Sequence, residues 1–170
     1  EIRKRLVKEN PKVYEPDLAN SYNNIGELYY NIQRFCDCET MYKAALEIRK
    51  RLAKDSPKNY EPDLAISYNN LGNLYRDTQR FTDSEIMLNF CSKIYSNLYE
   101  DNPLLYRKGF AYICYLLGIS RIKNKKTKEK KENDDEEEEE DEEEESKEEN
   151  NKSNMINDSS SEKNSDYTHN

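Results

Sequence analysis

The sequence predicts an all-α fold, an α-α superhelix (solenoid) of antiparallel helix pairs with a disordered acidic C-terminal tail. Three observations predict it. Residues 14–29, YEPDLANSYNNIGELY, return as residues 60–75, YEPDLAISYNNLGNLY, and residues 1–46 laid on 47–92 agree at 28 of 46 positions, so the chain is a tandem repeat. Within each copy apolar residues recur at spacings of three and four, the period of a helix with one buried face. Charge is segregated: residues 1–122 hold 18 Lys+Arg and 16 Asp+Glu, whereas residues 123–170 hold 9 Lys and 19 Asp+Glu. Of the 14 Tyr and 4 Phe only Tyr167 falls in that second part, so only the first can bury a core. The expected divisions are a repeat domain at 1–122 and a tail at 123–170. The domain comprises a partial repeat at 1–14, units at about 15–60 and 61–106, and a partial third unit at 107–122.

Residues 1–8, EIRKRLVK, match Glu47 to Lys54 and read as the last turns of a helix whose beginning is absent, as expected of a fragment of a longer array. Asn10-Pro11 and Ser56-Pro57 should end that kind of helix, because the residue before Pro is steered out of the α region. A loop to Glu15 or Glu61 is expected next, then a helix with Pro16 or Pro62 in its first turn and Asp17 or Asp63 favouring its positive end. Leu18, Tyr22, Ile25 and Tyr29 form the apolar stripe of this first helix, and Asn20, Asn23, Asn24, Glu27 and Asn31 its polar side. Asn31 to Arg34, matched by Asp77 to Arg80, is a short polar stop, and a second helix starts near Asp37 and Asp83. Its stripe is Cys38, Met41, Tyr42, Ala45, Ile48 and Leu52. Neither helix can hide its stripe alone, so neighbouring units must stack.

Tyr22-x2-Ile25-Gly26-x2-Tyr29 followed by Cys38-x3-Tyr42 resembles the tetratricopeptide pattern, with Tyr for Trp and Cys for Ala. Tyr68-x2-Leu71-Gly72-x2-Tyr75 with Ser84-x3-Leu88 is the second copy, and Cys114-x2-Leu117-Gly118 begins a third that loses the pattern after Ile122. The period of 46 exceeds the family's usual ~34 residues, which is similar to the long-helix units of kinesin light chains. These motif positions serve packing. Gly26, Gly72 and Gly118 let the facing helix come close, at a helix-propensity cost of about 1 kcal/mol each against Ala. Cys38, Cys91 and Cys114 are expected core fillers, and Cys36 a surface thiol.

Several function classes find no residues here to carry them. Cys36-x-Cys38 is too short for a zinc pair and its repeat counterparts are Thr82 and Ser84, so no metal or other cofactor is expected. The sole His is His169, and no Gly-rich phosphate loop or isolated carboxylate pair is present, so the protein reads as no enzyme. The longest apolar run, 110–119, is 10 residues against the ~20 needed to span a bilayer, and no basic-then-apolar leader opens the chain. A cytoplasmic location follows as the expectation, or a nuclear one if the source is eukaryotic and the Lys cluster at 123–131 is an address. Neither membrane nor direct nucleic acid is an expected partner.

Binding remains. The resemblance implies that the first helix of each unit lines a concave groove for an extended peptide of another protein, which makes the chain an interaction scaffold. The implied groove residues are Asn23, Asn24, Glu27 and Tyr30, then Asn69, Asn70, Asn73 and Arg76. Asn amides offer both donor and acceptor to a peptide backbone, although they could instead bond to neighbouring helices. With Arg76 as the only cation on that face, a C-terminal carboxylate ligand is not favoured. Phe110, Tyr112, Ile113, Tyr115, Leu116 and Ile119 make the third-unit helix apolar nearly all round, a candidate for self-association or a site whose partner helix has been lost. The twelve consecutive acids at 134–145 give a second reading: a histone-chaperone-like binder of basic proteins in which the repeats only mediate assembly.

Overall fold

The computed structural model describes residues 1–130, and its first compact unit is Glu1–Asn124. Among the described residues there are six helices: α1 (Ile2–Glu9), α2 (Pro11–Asn31), α3 (Phe35–Asp55), α4 (Pro57–Asp77), α5 (Phe81–Asp101) and α6 over residues 103–124. Each packs on the next in sequence, so α2 with α3 and α4 with α5 are antiparallel pairs and α3 joins them. The all-α array of stacked helix pairs is the predicted one. Residues 125–130 of the second unit are helical and hold a Lys125–Glu129 ion pair at 3.4 Å. The acidic run, and with it the disorder and the basic-protein partner expected of the tail, lie outside the described residues.

The turn inside each pair is set by backbone hydrogen bonds. At the end of α2, Gln33 N–H donates to the Tyr30 carbonyl (3.0 Å) and Arg34 N–H to the Tyr29 carbonyl (2.9 Å), with Gln33 at φ 59°. The end of α4 repeats this with Gln79 at φ 61° and Arg80 N–H on the Tyr75 carbonyl at 2.7 Å. This is a Schellman closure in which Gln occupies the left-handed position that usually goes to Gly. The following Arg locks it: Arg34 lies 4.7 Å over the Tyr29 ring and Arg80 4.2 Å over the Tyr75 ring, each also paired to an Asp three residues on at 2.7 Å. The short polar stop is therefore a built corner, and the second helices start at Phe35 and Phe81, two residues before Asp37 and Asp83.

Between pairs the structure corrects the expectation. No loop runs to Glu15 or Glu61; α2 and α4 begin directly at Pro11 and Pro57. Asn10 (φ −147°, ψ 88°) and Ser56 (φ −146°, ψ 80°) each make the whole connection, extended as a residue before Pro must be. The Pro that sits at the first helical position is thus Pro11 or Pro57, where its missing N–H is one of the orphans anyway. Pro16 and Pro62 lie inside their helices. Each forfeits one hydrogen bond, to the carbonyl of Lys12 or Lys58, near an end where solvent reaches both lysines. Asp17 and Asp63 consequently fall beyond the first turn, where the helix dipole has largely faded.

The main core gathers Cys38, Tyr42 and Leu46 of α3, Leu71, Leu74 and Tyr75 of α4, Leu88 and Cys91 of α5, and Ile113, Leu116 and Leu117 of α6. A smaller cluster of Ala19, Ile48 and Leu52 joins α2 to α3. The expected stripe of α2 is only partly hidden: Leu18, Tyr22 and Tyr29 are half-buried and Ile25 is 41% exposed, whereas its counterpart Leu71 is 1% exposed. The difference is coverage, because α4 lies between the full-length helices α3 and α5 while α2 has only the eight-residue α1 on its other side.

The glycines show the same effect. A Cβ on Gly26 would sit 2.5 Å from the Tyr42 ring and one on Gly72 2.8 Å from Leu88, so the second helix does pack onto both. Gly118 has nothing within 4 Å. Cys114 is exposed for the same reason and is not the core filler expected, whereas Cys38 and Cys91 are fully buried and Cys36 is exposed. Beside Gly72, the Ser84 hydroxyl donates to the Gly72 carbonyl (2.8 Å) and lies 3.0 Å from Ser120 Oγ. Because the Ser84 proton is spent on that carbonyl, Ser120 must be the donor to Ser84.

Candidate functional site

The first helices of the three units, α2, α4 and α6, stand side by side and leave a cleft of about 500 Å³ between them. Its lining is Asn23, Glu27, Tyr30 and Asn31 of α2, Tyr42 of α3, Ile66, Asn70, Asn73 and Arg76 of α4, and Tyr112 of α6. On α2 the spacing from Asn23 to Glu27 to Tyr30, and on α4 that from Ile66 to Asn70 to Asn73, are the +4 and +3 steps that keep side chains on one helix face.

Six of the eight residues proposed for a groove thus line one cleft: Asn23, Glu27, Tyr30, Asn70, Asn73 and Arg76. Asn24 and Asn69 are not in its lining. Asn70 Nδ2 reaches back to Asn23 Oδ1 at 2.8 Å. Asn24 is the repeat counterpart of Asn70, and among the described residues no earlier first helix stands beside α2 for it to reach. Asn69 accepts from Asn73 Nδ2 within α4 at 3.4 Å.

Ile66, Tyr112, Asn31 and Tyr42 line the cleft without being among the eight expected groove residues. Ile66 and Tyr112 had a signal, since both occupy the repeat position of Asn20 on the polar side of α2. Tyr42 had none, because its packing position gave no sign that it would close the floor of the cleft.

Two of the cleft's lining side chains, Tyr30 and Arg76, converge on Asp77. Its carboxylate accepts from the Tyr30 hydroxyl and pairs with Arg76 Nε at 3.1 Å, tying α2 to the end of α4. Burial, and then the hydrogen bond to Asp77, push the Tyr30 phenol up to about 12. Below this corner, Glu39 of α3 accepts from Tyr75 (3.0 Å) and pairs with Arg80 (2.8 Å) and Lys43 (2.7 Å). Burial alone would raise the Glu39 carboxyl, but these donors outweigh it and hold it below the usual carboxylate range. Asn73 Oδ1 is a buried acceptor with no partner among the described residues.

A second cavity, about 560 Å³, lies between α1 and α2. Leu18, Tyr22 and Ile25 line it, and their counterparts Leu64, Tyr68 and Leu71 are core residues of the next unit. It is a gap at packing positions, and of its polar lining residues Glu1, Arg3, Lys4 and Ser21, Arg3 already donates to Ser21, so the cleft across α2, α4 and α6, where amides of two units meet, is the candidate site. Among the described residues no group of three or more His, Cys, Asp or Glu gathers as a metal site would require. Nor is any described helix long and apolar enough to cross a membrane.

Residues 18–57 and 64–88 match the tetratricopeptide repeat family. No curated protein and no solved structure matches the chain. With helix pairs that stack in sequence, a small residue where the second helix lands in both complete units, and this match, the chain belongs through residues 18–88 to the tetratricopeptide repeat family. It has the long-period units of the kinesin light chain type, a class of scaffold for protein–protein interaction.

Proposed function

We propose that the cleft formed by α2, α4 and α6 holds an extended segment of a partner protein, and that Asn23, Glu27, Tyr30, Asn70, Asn73 and Arg76 make the contacts. One observation carries this reading: amide groups of two neighbouring units converge on a single cleft while keeping bonding capacity to spare. The Asn70–Asn23 bond uses one donor and one acceptor, which leaves Asn70 Oδ1 and Asn23 Nδ2 for a ligand. An extended backbone offers a donor and an acceptor at alternating intervals, which suits such a pair whatever the ligand side chains. Arg76 is already paired with Asp77, which argues against capture of a chain-terminal carboxylate.

The test is selection of peptides from a random display library on the immobilised full-length chain, followed by affinity measurement with the Asn70→Ala/Asn73→Ala variant. Two lost hydrogen bonds at ~0.5–1.5 kcal/mol each should weaken a selected peptide about tenfold. Helical circular dichroism at the assay temperature should stay unchanged. An unaltered affinity would remove the cleft as the binding site.

A further inference from the structure

The cleft is not uniform. At one register position α2 carries Asn20, α4 Ile66 and α6 Tyr112; at another the series is Glu27, Asn73 and Ile119. Polarity at these two positions falls from the first unit to the third, and Glu27, Asn73, Ile66 and Tyr112 are the members that line the cleft. At the α6 end, Ile66 and Tyr112 both line the cleft while 41% and 51% exposed. An aliphatic side chain beside a tyrosine ring, open to water in a concave site, favours an apolar side chain from outside.

The opposite end is charged, and its charges do not cancel. Arg76 Nε and the Tyr30 hydroxyl both bond to the Asp77 carboxylate, which balances the Arg76 charge. Glu27 is exposed, and its carboxylate has no hydrogen bond or ion pair among the described residues. Tyr42 also lines the cleft, and burial holds its phenol firmly protonated, with Cys38 and then Glu27 adding to the effect. Among the described residues the one uncompensated charge in the cleft is thus negative, and the group that complements it is a cation.

We propose that the cleft selects a partner segment carrying Lys or Arg against Glu27 and an aliphatic or aromatic side chain against Ile66 and Tyr112. This rests on the reading that the cleft binds an extended peptide, and it names that peptide's chemistry. Glu27 and the Ile66–Tyr112 pair are then the residues that set specificity, while the asparagines hold backbone of any sequence.

The experiment takes a library-selected peptide and measures double-mutant cycles on the full-length chain at physiological salt. The peptide's basic residue is changed to Gln against wild type and Glu27→Gln, and its apolar residue to Ser against wild type and Ile66→Ser/Tyr112→Ser. Losing the basic residue should weaken binding about three- to fivefold on wild type and leave binding to Glu27→Gln unaltered. Losing the apolar residue should cost about tenfold on wild type and much less on the double Ser variant. The acidic run at 134–145 attracts any basic peptide, but it does so equally in both chains and cancels in the cycle. Selected peptides that are acidic, or a basic residue whose loss costs the same on Glu27→Gln, would overturn the proposal. If binding also ignores Asn70→Ala/Asn73→Ala, the cleft itself is not the site; if it depends on those asparagines and not on Glu27, only the assigned chemistry fails.

Discussion

Arg49 is a charged side chain, 4% exposed, in the middle of α3. It donates to the Asp63 carbonyl (3.1 Å) and Ser67 Oγ (2.9 Å) of α4 and to Asn20 Oδ1 (2.9 Å) of α2, so one side chain ties three helices. None of these partners is a carboxylate, and Nε has no partner among the described residues. Burial accordingly lowers its affinity for the proton, with only the nearby Asp63 charge acting the other way. The contact is a feature of the repeat, because Arg3 donates to Ser21 at the same register, while the next copy has Tyr95 and the buried Ile113 there. An apolar solution at this position is therefore compatible with the stack. Arg49→Met should stay within about 1 kcal/mol of wild type in urea unfolding, since relief of a buried charge offsets lost hydrogen bonds. Arg49→Ala should cost about 2–4 kcal/mol through the cavity it leaves. In the sequence this Arg was not legible as core: it adjoins the apolar stripe, and helical periodicity cannot tell a charged residue at the stripe's edge that is buried from one facing water. Ser67 was equally silent, since a small polar residue fits both surface and core.

At the scale of the helix, what was legible was whatever local chemistry decides alone. Helix ends at Asn10 and Ser56, and the corners at 32–34 and 78–80, follow from Pro and from the backbone hydrogen bonds of a closing turn. Pro16 and Pro62 misled because a Pro five residues into a helix has the same local preference as one at its start, and stacking against α3 and α5 decided the matter. The cleft was legible as far as the family resemblance reaches: the groove face that it implies on the first helices holds six of the cleft's residues. Asn24 and Asn69 dropped out because which of two adjacent asparagines enters the cleft depends on how the helices stand beside each other, which periodicity does not encode. Coverage likewise separates Gly72 from Gly118, residues at one repeat position with different surroundings. Gly72→Ala should destabilise the protein by ~1–2 kcal/mol, because overpacking against Leu88 exceeds the propensity gain of about 1 kcal/mol. Gly118→Ala meets nothing within 4 Å and should stabilise by up to about 1 kcal/mol. Denaturant midpoints of the two variants should move in opposite directions; a shared sign would mean that α6 is covered as α4 is.

For the array as a whole, the extensive contacts from α1 to α5 are between helices adjacent in sequence, so stability rests on a few shared interfaces. The largest is the cluster spanning α3 to α6, and two thiols sit fully buried inside it. Burial pushes Cys38 up to about 11 and Cys91 up to about 12, and the Cys91 thiol lies 3.2 Å from the Ala65 carbonyl. In the unfolded chain a thiol ionises near ~8.5 and a phenol near ~10. The folded state thus keeps protons that the unfolded state releases. The stability these groups contribute is fully present below about pH 8.5 and is lost as pH rises toward their folded values, at a limiting slope of ~1.4 kcal/mol per pH unit per group. Tyr30, pushed up to about 12, adds its share from about pH 10 upward. Unfolding free energy should be flat from neutrality to about pH 8 and then fall in two stages, thiols first and phenols after. The repeat supplies the control, because Ala45 holds in the first unit the place that Cys91 holds in the second. Cys91→Ala should cost stability at pH 7, and the gap to wild type should close between about pH 8.5 and 12 as the wild type alone loses the contribution of a protonated buried thiol. A gap that stays constant across that range, measured by urea unfolding under a reductant, would mean that the Cys91 thiol keeps the same proton affinity folded and unfolded. The interface around α4 and α5 would then have to be open to water.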